Sequence, residues 1–169
     1  MKFFYSYYRK LKNINIWIGE RISELIGALG LLILCTILLQ IGLRVFFKFT
    51  FPWVFELVSI FAVYAAFFGA SLLILKNKSA KVEVLVEIMP KFLQKIFLML
   101  EIMTKIIMGI SVLIGSINYM VVLKNYQMTN FPISTRMFAY PIAFFSLVLI
   151  WNGFLSLLNY IVLEKERAK

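Results

Sequence analysis

Four long apolar stretches divide the chain, and the breaks between them carry most of its charged residues. Each stretch is free of charge over at least 18 residues, which places them at 25–43, 57–75, 106–123 and 137–163. A helix needs about 20 mostly apolar residues to cross the hydrocarbon core of a bilayer. The pattern therefore predicts an all-α membrane protein in a single domain, residues 1–169. Its four transmembrane helices are predicted at about 22–43, about 54–75, about 101–123 and about 137–163.

Two further segments have the pattern of helices that lie on a membrane surface. In residues 1–19, apolar side chains recur at spacings of three and four, with basic residues on the rest of the helical wheel. Residues 81–97 repeat the pattern, and Glu87 and Lys91 stand there in the favourable i, i+4 order. Alternating valines at the start of this second segment also fit a strand, but a lone strand beside a bilayer has no partner. We therefore expect N-terminal and central interfacial amphipathic helices, the second kinked or split at Pro90.

The composition supports a membrane protein and excludes several kinds of chemistry. Hydrophobic residues make up 62% and charged residues 15% of the chain, against about 45–50% and roughly 25% in soluble domains. The sequence contains no His and no Asp. Imidazole bases, His-ligated zinc, bis-His haem and Asp-ligated magnesium are thereby excluded. We expect no enzyme, and no catalytic, cofactor-binding or metal residues. Cys35 is the single cysteine, so no disulfide can form within the chain.

The net charge of +10 is distributed by loop rather than gathered into a patch. The N-terminal segment, the loop after the second span and the C-terminus hold 14 Lys and Arg residues, and the opposite side holds 4. Cytoplasmic loops carry this excess, so both termini and the central loop are predicted to be cytoplasmic. Because topology and attraction to anionic lipid account for the basic residues, no nucleic-acid partner is expected.

The spans contain no charged residue near their middle. Ionisable residues at that depth mark ion and substrate paths, so their absence argues against transport by this chain alone. Their strongest polar groups are Gln40, Asn118, Asn152 and Asn159, and each is read as a bond between helices rather than a ligand. Both predicted hairpins start from the same side, unlike the inverted repeats of many transporters. The pattern favours a subunit of a larger complex. A stripe of alanines at 62, 66 and 70 fits packing within the chain or against a partner.

The outer connection between the first two spans has a distinctive sequence. Arg44 ends one helix, Glu56 lies just inside the next, and Pro52 and Trp53 stand between them. Proline suits the start of a helix. Arg44 and Glu56 either pair across this hairpin, or the Arg snorkels and the Glu is solvated.

These residues resemble a known family. The segments that carry the resemblance are RVFF from Arg44, FPWVFE to Glu56, GASLLILK to Lys76, KVEVL from Lys81, FPI at 131–133 and YPIA at 140–143. Their order and spacing resemble the DctQ-like small membrane subunit of TRAP (tripartite ATP-independent periplasmic) transporters. Ser79 stands where that family usually has His, and Lys81 and Glu83 replace its Arg and Asp.

The resemblance implies a function that the residues alone do not give. TRAP systems take up organic acids, of the dicarboxylate or sialic acid type, with a sodium gradient and an extracytoplasmic binding protein. The large membrane subunit would hold Na⁺ and substrate and move as an elevator. The small subunit would be its static scaffold in the bacterial inner membrane, with phospholipid as a further partner. Its structural and partner-interface residues would be Arg44, Trp53, Glu56, Lys81, Glu83 and Pro141.

Two other functions stay open at this point. A tetraspan assembly or accessory protein would have the same composition without belonging to a transport complex. A small multidrug exchanger would also have four helices, but it needs an acid embedded in the membrane. Glu24 is the only acid placed for that role.

Overall fold

The structure of the chain is a computed structural model that describes residues 2–48, 50–76, 90–130 and 133–167. The side chains at 2–13, 91, 159 and 161–167 lie outside the description. Four long helices account for nearly all of the described backbone. They are α1 (Lys2–Phe47), α2 (Pro52–Leu75), α3 (Lys91–Val122) and α4 (Ala139–Arg167).

Four helical segments of the described residues are long and apolar enough to cross a membrane, which confirms the predicted number of spans. These stretches are Ile14–Phe47, Pro52–Leu75, Phe92–Asn125 and Thr135–Leu158. The described residues form no strand beyond one isolated bridge, between Gln127 and Ser134. The all-α membrane class is therefore confirmed, while the exact positions at which each helix enters the bilayer stay predictions.

The N-terminal segment is helical as predicted, but no break separates it from the first span. With 46 residues, α1 is about 69 Å long, more than twice the thickness of the hydrocarbon core. One helix therefore includes both the predicted interfacial segment and the first span. The predicted amphipathic face of residues 1–13 lies outside the described side chains.

Proline and local backbone geometry set the helix ends. Pro52 is the first residue of α2, where its missing N–H costs nothing. Lys48 closes α1 with a positive φ of 52°, a left-handed turn just past the helix end. Pro90 is extended (φ −62°, ψ 145°) and α3 begins directly after it. The predicted amphipathic helix is thus described only from Lys91 onward, as the start of α3, and residues 81–89 lie outside the described residues.

The helices form an open layer in the order α1, α2, α4, α3. Helix α2 packs against α1 on one side and α4 on the other, and α3 packs against α4. Neither α1 nor α2 makes more than a marginal contact with α3, so the described helices do not close into a four-cornered bundle. Glu56 bonds Asn130 at one end of the α2–α4 pair, and Ile74 bonds Asn152 towards the other. Helices α2 and α4 therefore run parallel, and α1 begins on the side where α4 ends.

The core of this layer is small and lies towards that second end. Ile22, Leu75 and Val148 form a buried cluster that joins α1, α2 and α4. Further along, Phe68 meets Phe144 edge to face, with ring centroids 5.2 Å apart. Aromatic pairs of this geometry contribute about 0.5–1.5 kcal/mol beyond their buried area. The α2–α4 seam therefore uses phenylalanines that the sequence alone leaves at a lipid-facing position.

Candidate functional site

The connection between α3 and α4 lies at the end of the molecule where α2 begins. The bridge between Gln127 and Ser134 folds it into a tight loop, and Thr135 donates both its N–H and its hydroxyl to the carbonyl of Tyr126. The guanidinium of Arg136 donates to the carbonyl of Lys124 at 2.8 Å. We call residues 123–138 the outer cap, after the side of the membrane that the Lys and Arg distribution predicts for them.

Glu56 fastens the outer cap to the start of α2. Its Oε1 accepts from the backbone N–H of Asn130 at 3.1 Å and from the side-chain amide of Asn130 at 3.0 Å. Hydrogen bonds to a charged acceptor are stronger than neutral ones. The carboxylate therefore links α2 to the cap across 74 residues of sequence.

The same region keeps two charged groups whose buried atoms have no partner among the described residues. They are Oε2 of Glu56 and Nε of Arg136. Both residues bond through their other atoms, so each is only partly satisfied. Buried polar atoms without a partner destabilise the folded chain. A neighbouring molecule that bonded them would stabilise the outer cap.

The structure does not bring Arg44 and Glu56 together. Arg44 is exposed in the last turn of α1, and among the described residues it has no ion pair within 4.0 Å. Arg44 and Glu56 therefore do not form the ion pair that was one of the two alternatives for this hairpin. Glu56 accepts hydrogen bonds from the uncharged Asn130 instead. Trp53 is the second residue of α2, 36% exposed, and its ring lies 5.8 Å from that of Phe51.

A second polar cluster joins three helices towards the opposite end. Asn152 of α4 is 2% exposed and donates to the carbonyl of Ile74 in α2 at 3.2 Å. Its Oδ1 accepts from Nζ of Lys105 in α3 at 3.2 Å, and Lys105 also bonds Glu101 at 2.6 Å. The prediction that Asn152 bonds between helices is confirmed. The cluster satisfies a buried amide and a largely buried ammonium at once, which gives it a structural role.

Two glycines allow α3 and α4 to approach at this level. A Cβ on Gly109 would lie 2.7 Å from Cγ1 of Ile150, and one on Gly153 would lie 2.8 Å from Cγ1 of Ile106. Close approach at small residues is typical of helix contacts in membranes. The predicted alanine stripe of α2 does not form a contact of this kind, because Ala62 and Ala66 are exposed.

Several polar and small side chains of α3 point away from the rest of the chain. Ser111, Gly115 and Asn118 are exposed, and a Cβ at Gly115 would meet nothing within 4 Å. They lie on one face because their spacing is four and three. The inward face of α3 is different and contains Gly109 and Ser116, which are buried. Helix α3 thus uses one face within the chain and leaves the other uncovered.

The described residues present no group of three or more potential metal ligands. Among the buried polar side chains, Asn152 bonds across helices and Ser146 bonds a carbonyl of its own helix. The arrangement holds helices in place and offers surfaces to neighbours.

A family model decides between the remaining readings. It describes the DctQ component of tripartite ATP-independent periplasmic transporters, and it matches residues 33–162. The chain belongs to the DctQ family. Searches of curated proteins and of solved structures give no match.

As a DctQ component, the chain is a multi-pass membrane protein of a tripartite transporter, and this type of system includes a large membrane subunit and a binding protein. The matched region includes the outer cap, the Asn152 cluster and all six residues predicted to have a structural or partner-interface role. Pro141 is fully buried in the first turn of α4, where proline is tolerated. Lys81 and Glu83 lie outside the described residues.

The sequence did not single out Arg136 or Asn130, whose hydrogen bonds hold the outer cap together. One signal was present in the sequence. Ser134 followed by Thr135 and Arg136 fits the start of a helix, and the Ser134 hydroxyl does accept from the Arg136 N–H at 3.4 Å.

Proposed function

We propose that this DctQ component is the static scaffold beside the large membrane subunit of a sodium-driven, binding-protein-dependent transporter of organic acids. Substrates of the dicarboxylate or sialic acid type fit this proposal. Na⁺ and substrate would be held by the large subunit, and this chain would need no cofactor of its own. Phospholipid would fill the remaining space between the two subunits.

The open layer of helices is the observation that supports a scaffold best. Of the most apolar window of each span, only 6% of residues in α1 and 11% in α2 and α3 are buried. A transporter that worked alone would enclose a path between its helices, and buried ionisable groups would line it. Here the buried Asn152 ties α4 to α2 and α3, and the buried serines of the described residues bond carbonyls of their own helices. Broad outward faces remain for a larger neighbour.

The exchanger alternative finds no support in the geometry. Glu24 is exposed and bonds the guanidinium of Arg21 at 2.9 Å on the surface of α1. A coupling carboxylate would face the interior of a bundle or a water-filled cavity. An accessory protein outside a transport complex finds no support either, because the chain belongs to the DctQ family.

Reconstitution into proteoliposomes tests the scaffold proposal. Vesicles would contain the large subunit with or without this chain, and uptake of a labelled organic acid would be measured with binding protein outside and an inward Na⁺ gradient. We expect uptake only when both membrane subunits, the binding protein and the gradient are present. Equal uptake without this chain, or uptake by this chain alone, would contradict the proposal.

We also propose that the outer cap faces away from the cytoplasm in the bacterial inner membrane, with both termini inside. The Lys and Arg distribution supports this orientation. In a Cys35→Ser background, a membrane-impermeant maleimide added outside should label Thr129→Cys and leave Lys76→Cys unlabelled. The reverse pattern would overturn the orientation without affecting the family assignment.

A further inference from the structure

A cavity lies between α1 and α2 near the hairpin that joins them, and one polar side chain in its lining makes no hydrogen bond among the described residues. The cavity has a volume of about 310 Å³, and its walls include Thr36, Gln40 and Leu43 of α1 and Trp53, Val54 and Leu57 of α2. Apart from Gln40, these walls are mostly apolar. The cavity is open on one side, so a neighbouring molecule can enter it.

Gln40 is the unusual member of this lining. Its side chain is 8% exposed, and among the described residues it makes no hydrogen bond. Thr36 offers no donor, because its hydroxyl already donates to the carbonyl of Leu32 at 2.6 Å. An unbonded amide in an apolar site is unfavourable, so a bonding occupant of this cavity is favoured.

The position of Gln40 along α1 indicates which occupant fits. Arg44 lies four residues further on, which is one turn or about 6 Å nearer the helix end and on the same face. Its guanidinium is exposed and has no ion pair among the described residues. The polar layer on each side of a bilayer is about 5–7 Å thick. One helical turn is therefore about as long as this layer is thick.

We propose that this cavity binds a glycerophospholipid of the outer leaflet. The Nε2 of Gln40 donates to an ester carbonyl, the Arg44 guanidinium binds the phosphate, and an acyl chain fills the apolar cavity. Two residues one turn apart on α1 thereby contact the ester and the phosphate of the same phospholipid. The proposal does not depend on the scaffold function, because it concerns only this chain and a lipid.

A lipid that lacks ester carbonyls gives the sharpest test. The purified full-length chain in detergent would be titrated with dioleoyl phosphatidylglycerol and with its diether analogue, which has the same headgroup. Bound lipid would be counted by native mass spectrometry. We expect the diester to bind about fivefold more tightly to the unmodified chain, as one hydrogen bond predicts. Equal affinity for the two lipids would overturn the role of Gln40.

Two variants separate the contributions of the two side chains. Gln40→Leu should abolish the preference for the diester and leave the diether affinity unchanged. Arg44→Gln should weaken both lipids about tenfold and keep the preference, because it removes a charged bond to the shared phosphate. Asn118→Leu is the matched control, since it removes an amide from the exposed face of α3. Lipid binding that is the same in all four proteins would overturn the proposal.

A final measurement distinguishes a lipid from a protein occupant in native membranes. A photoreactive leucine analogue at Leu39, which also lines the cavity, would be irradiated in membranes containing the assembled transporter. Crosslinks to phospholipid support the proposal. Crosslinks to a second polypeptide alone would overturn it, and would do so without contradicting the scaffold function.

Discussion

Helices α4 and α1 cross the membrane with similarly apolar sequences, yet the chain covers them very differently. Of the most apolar window in each span, 39% of residues in α4 are buried and only 6% in α1. The less buried α1 is the more apolar of the two, with a mean hydropathy of 2.4 against 1.9. Hydropathy therefore does not decide which helix the chain buries.

The cause of this difference lies in what each helix offers a neighbour. Helix α4 carries Ser146, Asn152 and Gly153, all buried, and it packs against the other three helices. Helix α1 presents long apolar side chains such as Leu31 and Leu38, which are 65% and 62% exposed. In hydrocarbon, leucine gains little by leaving lipid, whereas close packing and hydrogen bonds do favour contact between helices.

The largest effect should come from closing the space between α3 and α4. Gly109→Val would place atoms against Ile150, where even a Cβ lies 2.7 Å from Cγ1 and 3.2 Å from the backbone N. Overpacking of this kind destabilises by about 1–3 kcal/mol. Denaturant or thermal unfolding in detergent would measure the loss.

Gly115→Val is the matched control on the same helix, because a Cβ there meets nothing within 4 Å. Gly30→Val provides the same control on α1. If all three variants lose equal stability, glycine acts through helix backbone properties, and the proposed difference between inner and outer faces is wrong.

A smaller loss is expected at the polar cluster of α4. Asn152→Leu removes the bond to the Ile74 carbonyl and leaves Lys105 with Glu101 alone. Side-chain hydrogen bonds between membrane helices average about 0.6 kcal/mol and reach about 1.7 kcal/mol. We expect a loss of about 1 kcal/mol in the same unfolding measurement. Asn118→Leu on the uncovered face should lose nothing, and an equal loss there would contradict the comparison.

The outer cap should respond locally rather than globally. Glu56→Ala removes the acceptor of two bonds from Asn130, so the Asn130 amide should exchange its hydrogen faster by about tenfold. Glu56→Gln retains an acceptor oxygen and should show a smaller change. Hydrogen exchange of residues 126–135 measures both. Unchanged protection in Glu56→Ala would mean that the cap is held by its own bonds.

The smallest effect on stability is expected at the exposed end of α1. Arg44→Gln should change the unfolding free energy by less than about 0.5 kcal/mol, because the described residues provide no ion-pair partner. For the same reason, exchanging the charges in Arg44→Glu with Glu56→Arg should not restore what either change loses. Recovery of stability in the double variant would show that the two side chains pair in the membrane.

The four spans could be predicted because hydropathy depends only on local sequence. Helices also begin at Pro52 and directly after Pro90, where proline predicted a boundary. The lateral order of the helices could not be predicted. Every span is apolar enough to face lipid, so Phe67 and Phe68 gave no sign that they pack on Phe145 and Phe144. The sequence also did not predict that α1 is one continuous helix. The amphipathic pattern of residues 1–19 does not indicate whether the helix bends before the first span.

The sequence identified residues of the site better than it identified their partners. Gln40 was also expected to bond between helices, yet it is buried and makes no hydrogen bond among the described residues. Asn152 stood out as an amide within a span, and its role between helices is confirmed. Glu56 was recognised, but its partner Asn130 lies 74 residues away and carries no charge. An ion pair with the nearby Arg44 was therefore the more visible alternative in the sequence.

Co-purification from native membranes tests the central claim that this DctQ component exists as one part of a larger membrane complex. The tagged chain would be extracted in mild detergent, and the proteins that accompany it would be identified and quantified. We predict a large polytopic membrane subunit in near-equal amount, held against faces that the isolated chain leaves exposed. A chain that elutes alone, or only with copies of itself, would contradict the account.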